Sequence, residues 1–181
     1  MKREGRPALI GLTGTNGAGK GEVAAYLKTK GYACQSLSDV LREELSARGV
    51  ESARDNLIRI GNELREKFGA DVLARRAMAR VSGPTVIDSI RNPAEAEFLR
   101  TQGDFLLVAV DAPIAIRYER ARARGRDESA RTLEVVRRKE EEEMTGGTTE
   151  QQIGLCMAMA DRRILNDGTL EDLRRKVEDF L

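Results

Sequence analysis

Leu9-Ile10-Gly11-Leu12-Thr13-Gly14-Thr15-Asn16-Gly17-Ala18-Gly19-Lys20 joins a short apolar run to a glycine-rich turn of spacing G-x-x-x-x-G-K, and Val23, Ala24 and Leu27 then recur at helical spacing. The pattern predicts strand, phosphate loop and helix. Glycines let the backbone curl so that successive N–H groups face one anion, and the helix behind adds the positive end of its dipole. Lys20 then reaches the outer phosphates, so the expected ligand is a nucleoside triphosphate held by Gly14, Thr15, Asn16, Gly17, Ala18, Gly19 and Lys20. The residue after such a lysine usually carries a hydroxyl that ligates Mg²⁺, but here Gly21 and Glu22 follow. Glu22 is either a favourable acid in the first helical turn or a water-mediated metal contact.

Working outward, apolar runs alternate with amphipathic stretches. Gly31–Leu37 reads as a turn and a short second strand, with Ser38 or Asp39 capping the next helix. From Asp55 a helical stripe carries Leu57, Ile60, Leu64 and Phe68; Gly69 interrupts it, and Val72, Leu73 and Ala77 continue. Thr85–Asp88 is a short buried strand, and Asn92-Pro93-Ala94-Glu95 starts a helix with cap, proline and N3 glutamate in place. Phe105–Val110 is apolar without alternation, as a strand covered on both faces should be. A helix follows Asp111-Ala112-Pro113, a glutamate-rich helix ends at Glu140–Glu143, and Met144–Thr149 reads as a mobile loop. A last strand lies near Arg163–Leu165, and Thr169 with Asp172 caps a helix that turns Leu170, Leu173, Val177 and Phe180 inward. Met157 and Met159 read as packing residues. The expected architecture is α/β: a five-stranded parallel sheet covered on both faces in three α/β/α layers, with a P-loop NTPase phosphate loop.

The 181 residues fit one domain, 1–181. Lys and Arg number 31 against 30 Asp and Glu, so no global field draws nucleic acid or membrane, and 4% aromatic residues supply few stacking platforms. Two cysteines, Cys34 and Cys156, without histidine, argue against zinc or disulfide frameworks and for a cytoplasmic setting.

Ligands of open α/β sheets bind beyond the carboxyl ends of the strands, where Asp39/Arg42, Asp88/Arg91, the Arg117–Arg126 segment and Asn166-Asp167-Gly168 fall. At these residues the chain resembles known kinases. Asp39-Val40-Leu41-Arg42 is similar to the GD-x-L-R segment of adenylate kinases and the D-x-x-x-R-E segment of dephospho-CoA kinases. Val86–Arg91 resembles the adenylate kinase D-G-F-P-R segment without its proline, and Ala160–Leu173 the C-terminal segment of dephospho-CoA kinases. From end to end the chain resembles an uncharacterised, mainly archaeal group of adenylate-kinase-related, dephospho-CoA-kinase-like P-loop proteins.

The resemblance implies a nucleoside monophosphate kinase-like P-loop NTPase fold with acceptor-side helices at about 38–81 and a helical lid at about 117–149, and a phosphotransferase that uses ATP and Mg²⁺ on a small-molecule nucleotide acceptor. Lys20, Asp39, Arg120 and Arg124 would be catalytic, the last two at the hinge of the lid. Arg42 and Arg91 would grip the acceptor phosphate, or else pair with Asp39 and Asp88 as ordinary surface ions. Asp88 would order the metal, or cap a helix. Asn166, Asp167 and Gly168 would meet the nucleobase, with Gly21 and Glu22 beside the donor phosphates. The alternative from another class is an ATP-binding switch or assembly factor with weak ATPase activity, which Gly21-Glu22 favours.

Overall fold

The computed structural model describes residues 5–124 and 132–181, with the side chain of Arg124 outside the described set. Strand β1 (Leu9–Thr13) lies at the centre of a five-stranded sheet of order β2-β3-β1-β4-β5, formed with β2 (Ala33–Ser36), β3 (Thr85–Ile90), β4 (Phe105–Asp111) and β5 (Arg162–Leu165). All the pairings are parallel. Each return therefore crosses a face of the sheet, and helices cover both: α1 (Lys20–Thr29), α2 (Leu37–Ala47), α3 (Arg54–Phe68), α4 (Val72–Met78), α5 (Pro93–Thr101), α6 (Ile114–Arg124), α7 (Leu133–Met144), α8 (Ile153–Ala158) and α9 (Leu170–Glu178).

Alternation along each strand divides the core in two. Ile10, Leu12, Val86, Leu106 and Val108 join α1 and α9 through Val23, Leu27, Leu173 and Val177. Leu9, Ile87, Phe105 and Leu107 join α2 to α5 through Leu41, Leu45, Leu64, Leu73 and Leu99. Both faces are dry, which is why β1 and β4 read as uninterrupted apolar runs. Met157 is buried and Met159 packs against the core, as their sequence context suggested.

Four local expectations are corrected. The chain passes from β2 straight into α2 at Leu37, so Ser36 is the cap and Asp39 lies in the first turn. Phe68 is 45% exposed at the last position of α3, where Lys67 and Arg76 lie over its ring, and Gly69 turns the chain at φ 100°. Leu170, the first residue of α9, is also 45% exposed, and the helix buries Leu173 and Val177 instead. The segment after Met144 is a hydrogen-bonded turn rather than a loose loop: Gly146 N donates to Gln151 O at 3.1 Å, and Asn92 Nδ2 holds Thr148 O at 2.8 Å and Glu150 O at 2.9 Å. No helix among the described residues is long and apolar enough to cross a membrane.

Candidate functional site

The phosphate loop is wedged against the carboxyl end of β4. A Cβ on Gly14, at φ 126°, would stand 1.9 Å from Val110 O, and one on Gly19, at φ 106°, 2.3 Å from Asn166 Nδ2. Only glycine permits both the left-handed backbone and the close approach. From the far side Asn166 donates its Nδ2 to Ala18 O at 2.8 Å and its backbone N–H to Asp111 O at 2.7 Å, fixing the loop after β5 on the phosphate loop. Gly19 is the N-cap of α1 and supplies no capping side chain, which leaves the positive end of that helix for a ligand.

Lys20 folds back over this loop. Its Nζ donates to Gly14 O at 2.7 Å and Thr15 O at 2.9 Å. Burial above all, then the charge of Arg91, lowers its pKa to about 8; Arg117 also lowers it, while Asp88 and Glu143 pull it back up. Two arginines and two carboxylates thus act on one ammonium.

Each of the two strands beside β1 carries an aspartate toward its carboxyl end, Asp111 as the last residue of β4 and Asp88 within β3. Asp111, on β4, accepts Thr15 Oγ1 at 2.9 Å through Oδ1, tying the strand end to the loop. On β3 the register jumps from Gly11↔Ile87 to Thr13↔Ile90, so Asp88 and Ser89 together oppose one residue of β1. This β-bulge puts Ser89 at φ 66° and sets its N–H on Asp88 Oδ1 at 2.6 Å. A serine held in the left-handed region is stored strain, of the kind that collects at binding sites. Ser89→Gly is expected to stabilise the protein by about 0.5–1 kcal/mol and Ser89→Val to destabilise it by more, read as urea midpoints. Equal midpoints for all three proteins would show the bulge to be unstrained.

The arginines are anchored. Arg91 Nη1 donates to Gln151 Oε1 at 2.9 Å and to Glu143 Oε2 at 3.2 Å, and Arg54 places Nε and Nη2 on Glu143 Oε1 at 3.1 and 2.6 Å. Arg117, buried, is bidentate on Glu140 at 2.5 and 2.9 Å. Arg120 Nη2 reaches Asn166 O at 3.3 Å.

The sequence matches a family model described as AAA domain over residues 10–146. The UPF0200 protein of Sulfurisphaera tokodaii is 33% identical over 175 residues, covering 96% of this chain and 95% of that protein. The chain belongs to the UPF0200 family and to the AAA-domain family. A shikimate kinase from Acinetobacter baumannii superposes with a TM-score of 0.61 at 18% identity, covering 96% of this chain and 92% of that one. A gluconokinase from Sinorhizobium meliloti 1021 gives 0.57 at 17%, covering 96% and 91%. At such identities the likeness is one of fold, and the fold is that of P-loop kinases.

Within this UPF0200 architecture the expected residues divide. Gly14 to Lys20 form one loop with Asn166, and Asp88 and Arg91 act electrostatically on its lysine. Arg120 reaches the same loop region through Asn166. Gly21, Glu22 and Asn16 are exposed, and a Cβ on Gly21 would meet open space. Asp39 and Arg42 form a solvent-facing pair at 2.6 Å on α2. Asp167 pairs with Lys176 at 3.3 Å, and Gly168 packs under Asp172 in the capping turn of α9. Arg124 closes α6, its side chain lying outside the described residues.

Sequence reasoning missed Asp111, Arg54, Glu140, Glu143 and Gln151. The spacing held a signal for two of them: in the glutamate run, Glu140 and Glu143 stand three apart on one face of α7, and these are the two that bond arginines.

Proposed function

We propose that the chain is a small-molecule kinase that moves the γ-phosphoryl of ATP to a nucleotide or nucleotide-like acceptor, of the nucleoside monophosphate kinase or dephospho-CoA kinase type. The observation that carries this is the desolvated Lys20 ammonium, seated on the phosphate loop and acted on at once by Arg91, Asp88, Glu143 and Arg117. Phosphoryl transfer asks a protein mainly for alignment and charge neutralisation, and these groups supply both. Residues Gly14 to Gly19 and Lys20 would hold the donor phosphates, and Asn166, with Asp167 and Gly168, would line the nucleobase side. Arg91 and Arg42 would grip the acceptor phosphate, and Asp39, beside Arg42, would take the acceptor's proton or position its attacking group. Arg120 and Arg124 would lean over the transferring group.

Carboxylate oxygens suit Mg²⁺, so Asp88, at the bulge of β3, fits it; bound there, the metal would neutralise charge on the donor phosphates. Position 21 offers no hydroxyl to it, yet leaves room for one. Gly21→Ser is therefore expected to lower the Mg²⁺ concentration giving half-maximal activity several-fold, and an unchanged magnesium dependence would mean that the carboxylate organises the metal alone.

Release of ADP from ATP with AMP, CMP, dCMP, dephospho-CoA, shikimate and gluconate tests the activity and ranks the acceptor classes. Arg42→Ala and Arg91→Ala are expected to raise the acceptor Michaelis constant tenfold or more while moving that of ATP little. Equal effects on both would place these arginines at the donor side. The same missing hydroxyl favours one other reading, an ATP-binding switch, which ADP release independent of every acceptor would support.

A further inference from the structure

We propose that Glu143 is an internal stand-in for the anionic group of the acceptor, and that a phosphate group displaces it from a grip formed by Arg54 and Arg91. The location rests on the kinase reading above; the competition between Glu143 and an anion does not. Three separate segments build the grip: Arg54 is the first residue of α3, Arg91 follows β3, and Glu143 is the penultimate residue of α7. Glu143 is 5% exposed, whereas Glu141 and Glu142 beside it face solvent. A carboxylate is buried like this only with strong partners, and it has two guanidinium groups, Arg54 on Oε1 and Arg91 on Oε2.

Glu143 gives each of the two guanidinium groups only one oxygen of a single carboxylate. A phosphate monoester carries up to about two negative charges and three terminal oxygens, so it satisfies the same pair more fully than Glu143 can. Gln151 still holds Arg91 at 2.9 Å once the carboxylate leaves, which keeps one guanidinium in place for the incoming ligand. The site also stands beside the phosphate loop, since Arg91 and Glu143 both act on Lys20.

Displacement has a mechanical consequence. Glu143 is the buried tie between α7 and α3; the other described tie between them, Lys139 to Asp55 at 2.9 Å, has its carboxylate 78% exposed and contributes little. Binding of an anion to the arginine pair and release of α7 are then linked, each favouring the other.

The probe is inorganic phosphate, titrated calorimetrically into the full chain carrying Lys20→Ala, so that the phosphate loop competes weakly for it. Adding Glu143→Gln is expected to tighten phosphate binding about tenfold, and adding Arg54→Ala to weaken it at least fivefold. Hydrogen exchange supplies a readout that needs no change at position 143: phosphate should speed exchange in peptides covering 133–152. Phosphate affinity indifferent to Glu143→Gln, or exchange in that segment indifferent to phosphate, overturns the proposal. Should Glu143→Gln fail to fold, the exchange titration decides alone. No ATP and no transfer enter either measurement. A protein that phosphorylates nothing yet passes them refutes the kinase reading only, and an active kinase that fails them refutes this one only.

Discussion

Lys20→Ala is expected to lower phosphoryl transfer by about a hundredfold or more, the loss of one charged contact to the transferring group, about 3 kcal/mol. The fold should survive it. Lys20 has its pKa lowered by burial from 10.5 to about 8, so between those values the unfolded chain binds the extra proton and stability rises with pH. Below pH 8 the buried ammonium is therefore a net penalty on the folded state, and removing it should leave the urea midpoint at pH 7 unchanged or raised. The same sign governs ligand binding: a polyphosphate favours the charged lysine, so ATP binding should take up protons from about pH 8 upward, seen as a dependence of the binding heat on buffer ionisation enthalpy. Wild-type turnover in Lys20→Ala would remove the phosphate loop from the chemistry.

Glu95→Ala should be the most damaging single change to the fold, by about 3–5 kcal/mol in urea unfolding. Glu95 is fully buried, with Oε1 accepting Arg65 Nε at 3.0 Å and Nη2 at 2.8 Å, and Oε2 accepting the backbone N–H groups of Arg91 at 2.9 Å and Asn92 at 3.1 Å. Its removal leaves Arg65, 2% exposed, as an uncompensated buried cation and strips the backbone that presents Arg91. Because those N–H bonds position Arg91, the acceptor Michaelis constant should rise even where folding is restored by low temperature. A loss below about 1 kcal/mol would show that water reaches Arg65 and that the pair is not the clamp its burial indicates.

Glu95 also shows how far the sequence could be read. Its spacing from Asn92 and Pro93 announces a capping box, and the structure forms one. Its second partner, Arg65, lies thirty positions away in α3, and no local pattern ties the two. The same division holds through the chain. The glycine spacing, the apolar β4 and the alternation of strands and helices are local, short-period signals, and they suffice for a parallel sheet with a phosphate loop at its centre. The bulge at Asp88-Ser89 is invisible beforehand because it arises from the pairing register of β3 with β1. Arg91 was legible as a charged residue past a strand end, but not its bonds to Glu143 and Gln151, which reach 52 and 60 residues along the chain. Conversely, Asp39 and Arg42 stood out through their likeness to kinase segments, and the structure shows them as an exposed pair on α2, so their part in acceptor binding rests on the Michaelis-constant test.

Transfer itself is tested most directly by following phosphorus-31 resonances of ATP with Mg²⁺, an excess of each candidate acceptor and the protein at stoichiometric concentration. The account predicts that the γ resonance is replaced by that of a new phosphoryl group on one acceptor, in step with ADP, and that Lys20→Ala abolishes the change. Conversion of the γ resonance to inorganic phosphate alone, or an unchanged spectrum with ATP bound, would contradict it.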